Sequence, residues 1–183
     1  MVQISDYLRE ETISSSYLYR GRIVNIRQDR VKISGGQTAF REVVEHPGAV
    51  AVIAINEKKE VVLVRQHRQP AGEVLLEIPA GKLEPGESPV DCARREMIEE
   101  TGYDAEKYDQ LICFYPSPGF CDEIIYLFCA EKLKRAERET TDPEERVSAV
   151  HINLEKALEM IYSGEIKDGK TIIALQMALL RQV

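Results

Sequence analysis

One stretch, SPVDCARREMIEETG at 88–102, limits the folds open to this chain more than any other, because both of its ends are marked. Ser88 is a good N-cap, Pro89 suits the first helical position and Asp91 falls at the capping-box position. Gly102 can take the left-handed conformation that ends a helix, so the pattern predicts a helix over about 89–101. Strand patterns surround it. GAVAVIAI (48–55) and VVLV (61–64) flank the turn-like NEKK and read as a hairpin with a buried core, and VLLEIPAG (74–81) reads as another strand, stopped by Pro79 and Gly81. LICFY (111–115) and EIIYLFCA (123–130) are two more, joined by PSPGFCD.

From Ile13 to His46 the chain reads as short strands rich in Tyr, Val, Ile and Arg, with a turn at Ser34-Gly35-Gly36. This part is polar for its length and is expected to need a partner surface. Residues 131–147 are charged and poor in apolar groups, which predicts a mobile surface loop. Asn153 is placed to cap a helix with Leu154, Ala157, Leu158 and Ile161 on one face, ended by Gly164. A last helix from about Lys170 is apolar nearly all round and is expected to be largely buried. The order of strands, one helix, more strands and two helices points to an α/β (α+β) fold with a mixed sheet and helices on its faces, rather than regular βαβ winding.

Length and charge narrow the function. At 183 residues the chain is long enough for one domain with a full-sized core, or for a core domain plus a small appendage, and no apolar run approaches the roughly 18 residues of a membrane helix. The first residues, MVQISDYLREE, lack the layout of a signal peptide, so the expected location is cytoplasmic. A net charge of −7 without a block of Lys and Arg argues against a nucleic-acid surface. The four cysteines, Cys92, Cys113, Cys121 and Cys129, form no C-x-x-C pair and read as structural thiols. His46, His67 and His151 are scattered and read as structural or surface residues.

Within the marked helix, Glu96, Glu99 and Glu100 fall in a sector of roughly 100°, with Val90, Met97, Ile98 and Thr101 on the other side. Like charges so spaced are mildly destabilising, and their place near the helix C-terminus also opposes the macrodipole. Such a run is either a solvated face balanced by Arg94 and Arg95, or a set of oxygen ligands for a hard divalent cation.

The spacing of GKLEPGESPVDCARREMIEETGY (81–103) decides between them. Gly81, Glu87, Arg95, Glu96, Glu99, Glu100 and Gly102 stand at the fixed positions of the Nudix box, with Met97 and Tyr103 at its two bulky apolar positions. The chain therefore resembles the Nudix hydrolases. That resemblance implies an α/β/α sandwich over 47–183 preceded by a small antiparallel β segment over 1–46, and a loop-helix-loop that binds Mg²⁺ or Mn²⁺. It implies Glu96 and Glu100 as principal metal ligands, Glu99 and the Ala80 carbonyl as assistants, and Arg95 as the residue that orients the box acids by pairing with Glu87 or Glu99. A bound cation offsets the repulsion between these acids and a pyrophosphate, and lowers the pKa of a bound water.

Pro118, sixteen residues after Gly102 in SPGF and followed by Gly119, together with REVVEHPGAVAV, VRQHRQP and LLEIPAGKLEPGE, is similar to the ADP-ribose pyrophosphatase subgroup. The subgroup implies a homodimer that exchanges N-terminal segments and a nucleoside diphosphate sugar substrate, ADP-ribose, cleaved to AMP and ribose 5-phosphate. Arg41 and Arg68 are candidates for phosphate or ribose, and Tyr17 or Tyr19 for base stacking, against ordinary strand packing as the plainer account of both rings. A glutamate on a loop after the last long strand is the implied general base, here Glu145, or else Glu144. Other readings are another nucleoside diphosphate sugar or oxidised nucleotide as substrate, a Nudix-fold binding module without catalysis, and a P-loop at GEIKDGKT (164–171). The P-loop has the wrong context, since it follows a helix where a buried strand is required.

Overall fold

The computed structural model describes residues 8–136 and 146–181. The first three strands, β1 (Glu11–Arg20), β2 (Asn25–Lys32) and β3 (Thr38–Glu45), form an antiparallel sheet in the order β1-β2-β3. Every residue of β1 is exposed, and Ile13, Leu18 and Phe40 are at least half exposed, so this sheet has little core of its own. It belongs to a unit comprising Met1–Pro47 and Ser117–Glu123. The later segment joins it by hydrogen bonds from Val44 N–H to the Phe120 carbonyl and from Asp122 N–H to the Val44 carbonyl.

The second unit, Gly48–Pro116 with Ile124–Val183, carries the large core. Its elements are β4 (Ala49–Ala54), β5 (Glu60–Arg68), β6 (Glu73–Glu77), β7 (Ala80–Lys82), α1 (Pro89–Thr101), β8 (Tyr103–Phe114), β9 (Ile125–Arg135), β10 (Val147–Asn153), α2 (Leu154–Tyr162) and α3 (Gly169–Arg181). One sheet runs β7-β4-β9-β8, with β4 and β9 parallel and the other pairs antiparallel, and the other runs β10-β5-β6. β4 is buried along its whole length because its alternate residues enter different clusters. Ala49, Ala51 and Ile53 pack with Ala157, Ala174, Leu175 and Ala178 of the last two helices. Val50, Val52 and Ala54 pack with Cys92, Ala93 and Met97 of α1. The result is an α/β/α sandwich on a mixed sheet.

Several local expectations give way to this arrangement. The two apolar runs at 48–55 and 61–64 do not form a hairpin ladder: they share one isolated bridge, Ile55 with Val61, and enter different sheets. Each is apolar on both faces, so each is stable only in a sheet interior. The run at 74–81 is likewise two strands, β6 and β7, which separate at Ile78-Pro79 into the two sheets. Residues 131–135, expected in a loop, continue β9. α3 is buried on one face only, with Leu179 and Leu180 more than half exposed, and Val90 of α1 also faces outward. Cys113 is exposed rather than packed. Among the described residues no helix is long and apolar enough to cross a membrane.

Candidate active site

α1 begins and ends through its own side chains. Ser88, in an extended conformation, accepts the Asp91 N–H, Pro89 opens the helix, and Gly102 ends it at φ 70°, donating its N–H to the Ile98 carbonyl. Met97, Cys92 and Ala93 are fully buried beneath the helix, which fixes the rotation of its acidic face. That face is not solvated. Glu96 and Glu100 are only 7% and 9% exposed.

Their carboxylates meet the same piece of backbone. The Ala80 N–H donates to Glu100 Oε2 at 3.0 Å. At the next residue, a Cβ added to Gly81 would lie 1.9 Å from the Glu96 carboxylate, so only a residue without a side chain admits Glu96 there. Two carboxylates one turn apart are thus held against the Ala80-Gly81 dipeptide, which is itself fixed to β4 through the Ala51–Ala80 and Val50–Gly81 pairs.

Arg95 supplies the compensating charge. Its Nε and Nη2 donate to Glu87 at 2.9 and 3.0 Å, and its Nη1 donates to Glu96 at 2.6 Å and Glu99 at 3.0 Å. Its Nη2 also reaches the Lys82 carbonyl at 3.1 Å. Arg95 therefore pairs with both partners anticipated for it and with Glu96 as well. A like-charge pair on a helix costs about 0.2–0.5 kcal/mol, whereas a hydrogen bond to a charged group contributes about 1.5–3 kcal/mol, so the guanidinium outweighs the crowding. It holds Glu87 down at about 2, the Arg95 hydrogen bonds being the main cause, and the glutamates in turn raise the guanidinium pKa. The neighbouring Cys92 thiol is pushed up by burial and is no nucleophile.

The donor set fits a hard divalent cation by its chemistry: two nearly buried carboxylates held on one stretch of backbone, the sparse protein contribution typical of a site completed by phosphate and water. Among the described residues no cluster of three or more His, Cys, Asp or Glu side chains has the form of a ready metal cage. Arg95 holds Glu96 and Glu99 together on one nitrogen, Nη1, while Glu100 rests on the Ala80 N–H.

The other candidates each belong to one unit or the other. Arg68 is locked bidentately on Glu77, at 2.8 Å from Nε and 2.8 Å from Nη2, a buried acid that no motif or periodicity singles out. Burial tends to raise the Glu77 pKa, but Arg68 and Lys170 outweigh it and the net shift is downward. Arg41 binds Glu10 across the N-terminal sheet. Tyr17 has the Arg20 guanidinium 3.9 Å over its ring. Tyr17 and Tyr19 are 46% and 56% exposed on β1, and the Tyr17 hydroxyl donates to Glu45 of β3. Pro118 and Gly119 lie in the turn that joins the N-terminal unit. Glu144 and Glu145 lie outside the described residues. The P-loop-like segment follows α2, and Lys170 and Thr171 are engaged with Glu77 and Ile78, so it is no phosphate cradle.

The NUDIX domain family matches residues 45–174. This chain belongs to the Nudix family. The family of nucleoside diphosphate sugar hydrolase N-terminal domains matches residues 10–44. This Nudix chain is 45% identical over 174 residues to a methanol dehydrogenase activator of Bacillus methanolicus, covering 94% of each. It is 41% identical over 176 residues to an ADP-ribose pyrophosphatase of Bacillus subtilis, covering 96% of this chain and 95% of that one. In three dimensions it resembles a crystal structure of an ADP compounds hydrolase with a TM-score of 0.81 at 21% identity, over 95% of this chain and 93% of that one, a likeness of fold. Nudix hydrolases generally use divalent cations.

Two outcomes are expected. Gly81→Ala displaces Glu96 from its place against β7 while leaving the core intact, so hydrolytic activity falls at least tenfold with a cooperative melt retained; unchanged turnover contradicts the cradle. Glu87, held at about 2 against 4.5 when unpaired, takes up a proton on unfolding between those values, so its stabilisation is present above pH 4.5 and is lost as pH falls toward 2. Urea unfolding from pH 5 to pH 3 is expected to lose stability less steeply in Glu87→Gln than in the parent.

Proposed function

We propose that this Nudix hydrolase cleaves the pyrophosphate of ADP-ribose with water, giving AMP and ribose 5-phosphate. The observation that carries the reading is the placement of Glu96 and Glu100 on the Ala80-Gly81 backbone with Arg95 beside them, in a chain that matches nucleoside diphosphate sugar hydrolases along its N-terminal segment too. The 41% identity to an ADP-ribose pyrophosphatase supports ADP-ribose within that class.

In this reading Glu96, Glu100 and the Ala80 carbonyl hold Mg²⁺ or Mn²⁺, with Glu99 assisting. When bound, the cation screens the diphosphate from the acids and acidifies a water. Arg95 keeps Glu96 and Glu99 in place and neutralises part of their charge before substrate arrives. Arg68 and Arg41 serve the phosphates or ribose, Tyr17 or Tyr19 the adenine, and Pro118 and Gly119 the turn at the substrate. Glu145, with Glu144 as its alternative, takes the proton of the attacking water as the oxygen bonds to phosphorus and the bridging oxygen departs with the other phosphate. Residues 1–46 serve as a dimerisation segment, which accords with the exposed apolar residues of β1. The protein works in the cytoplasm, consistent with its four free thiols.

The test is a panel of nucleoside diphosphate derivatives with product analysis in ¹⁸O water. AMP release from ADP-ribose far above that from ADP-glucose or oxidised dGTP is the expected result; equal or greater turnover of another member reassigns the substrate, and no turnover of any member removes the hydrolase reading. Glu145→Gln is expected to lower kcat at least a hundredfold and to leave divalent-cation binding unchanged; near-normal turnover removes Glu145 from that role.

A further inference from the structure

GEIKDGKT is not used by the site, yet its last four residues make unusually specific contacts. The Asp168 carboxylate accepts both the Thr171 N–H, at 3.0 Å, and the Thr171 hydroxyl, at 2.6 Å, and so caps α3 and aims the hydroxyl oxygen. Thr171 is completely buried, and that oxygen accepts the Ile78 N–H at 2.8 Å across 93 residues of sequence. One residue earlier, Lys170 binds Glu77 and also lies 3.0 Å from Asp168. Glu77 is at the same time gripped by Arg68 of β5.

Ile78 stands where the chain leaves one sheet for the other. β6 ends at Glu77, β7 begins at Ala80, and Pro79 between them has no N–H to donate, its carbonyl instead accepting the Val52 N–H at 2.8 Å. In this gap α3 takes over the work of a neighbouring strand. Two and three residues further on come Ala80 and Gly81, the backbone against which Glu100 and Glu96 rest.

We propose that Asp168 and Thr171 form a positioning clamp for the divalent-cation site, in which the Thr171 hydroxyl, aimed by Asp168, fixes the height of the Ile78–Gly81 backbone beneath Glu96 and Glu100. The clamp rests on the reading of those glutamates as cation ligands and is independent of which diphosphate is cleaved. Thr171 touches neither substrate nor cation; it acts through Ile78. Partners that orient a ligand set in this way typically change metal affinity about 10–100-fold when removed. Lys170 also grips the segment, but removing its positive charge favours a cation by Coulomb attraction while loosening the strand. The neutral Thr171 is therefore the position that reports on geometry alone.

The experiment is Mn²⁺ titration of the full chain, read by the EPR signal of free Mn²⁺, alongside a thermal melt. Thr171→Val keeps the shape and deletes the hydroxyl, and is expected to weaken Mn²⁺ binding about tenfold or more; Thr171→Ser is expected to restore it to within about threefold. If Thr171→Val does not fold, Thr171→Ala, which leaves room for a water at the Ile78 N–H, takes its place under the same criterion. A variant that melts earlier yet binds Mn²⁺ within about twofold of the parent overturns the clamp and leaves the hydrolase reading intact. A folded parent that binds no Mn²⁺ overturns both.

Discussion

One guanidinium makes the acidic helix tenable. Without Arg95, Glu87, Glu96 and Glu99 would face one another with Glu96 nearly buried, and carboxylates out of water without a partner neutralise themselves or force the segment apart. With Arg95 donating to all three, α1 can lie with Met97 in the core and its acids packed on β7. The same pairing leaves the three acids tied to a cation of the protein's own.

The site is therefore as much a feature of backbone as of side chains. Glu96 fits because Gly81 has no Cβ, Glu100 is anchored by the Ala80 N–H, and that dipeptide is held from β4 on one side and through Ile78 from α3 on the other. The segment from Glu77 to Lys82 crosses from one sheet to the next, so its position depends on both. A cation bound there would link the box helix, both sheets and the last helix, and core changes far from the acids would be felt as changes in affinity.

Charge pairing recurs around this frame with different consequences. Arg68 was a plausible phosphate ligand by residue type, yet its two nitrogens are committed to Glu77, so any contact with substrate has to be made with that pair in place or after its exchange. Arg94, one residue from the hub, turns away from the acids to hold the buried Asp104 at 3.0 Å. Adjacent arginines thus serve opposite sides of the same helix, one for the site and one for the packing of α1 on β8.

What the sequence determined by itself was local. The ends of α1 rest on Ser88, Pro89 and Gly102, within the helix or next to it, and the box acids are placed by a fixed 3.6-residue turn, so spacing alone identified both helix and family. Asn153 likewise announced α2 through bonds two and three residues away. Pairings between distant segments were beyond reach. Apolar runs such as 48–55 and 61–64 satisfy a hairpin and two separate sheet interiors equally well, and only competition for neighbours across the whole core sent them to different sheets. Glu77 looked like any strand acid until Arg68 and Lys170 met it, and Thr171 like part of a phosphate loop until Ile78 did. Periodicity carries which face a residue occupies; it carries nothing about what that face will meet, and burial of charge is decided by that meeting.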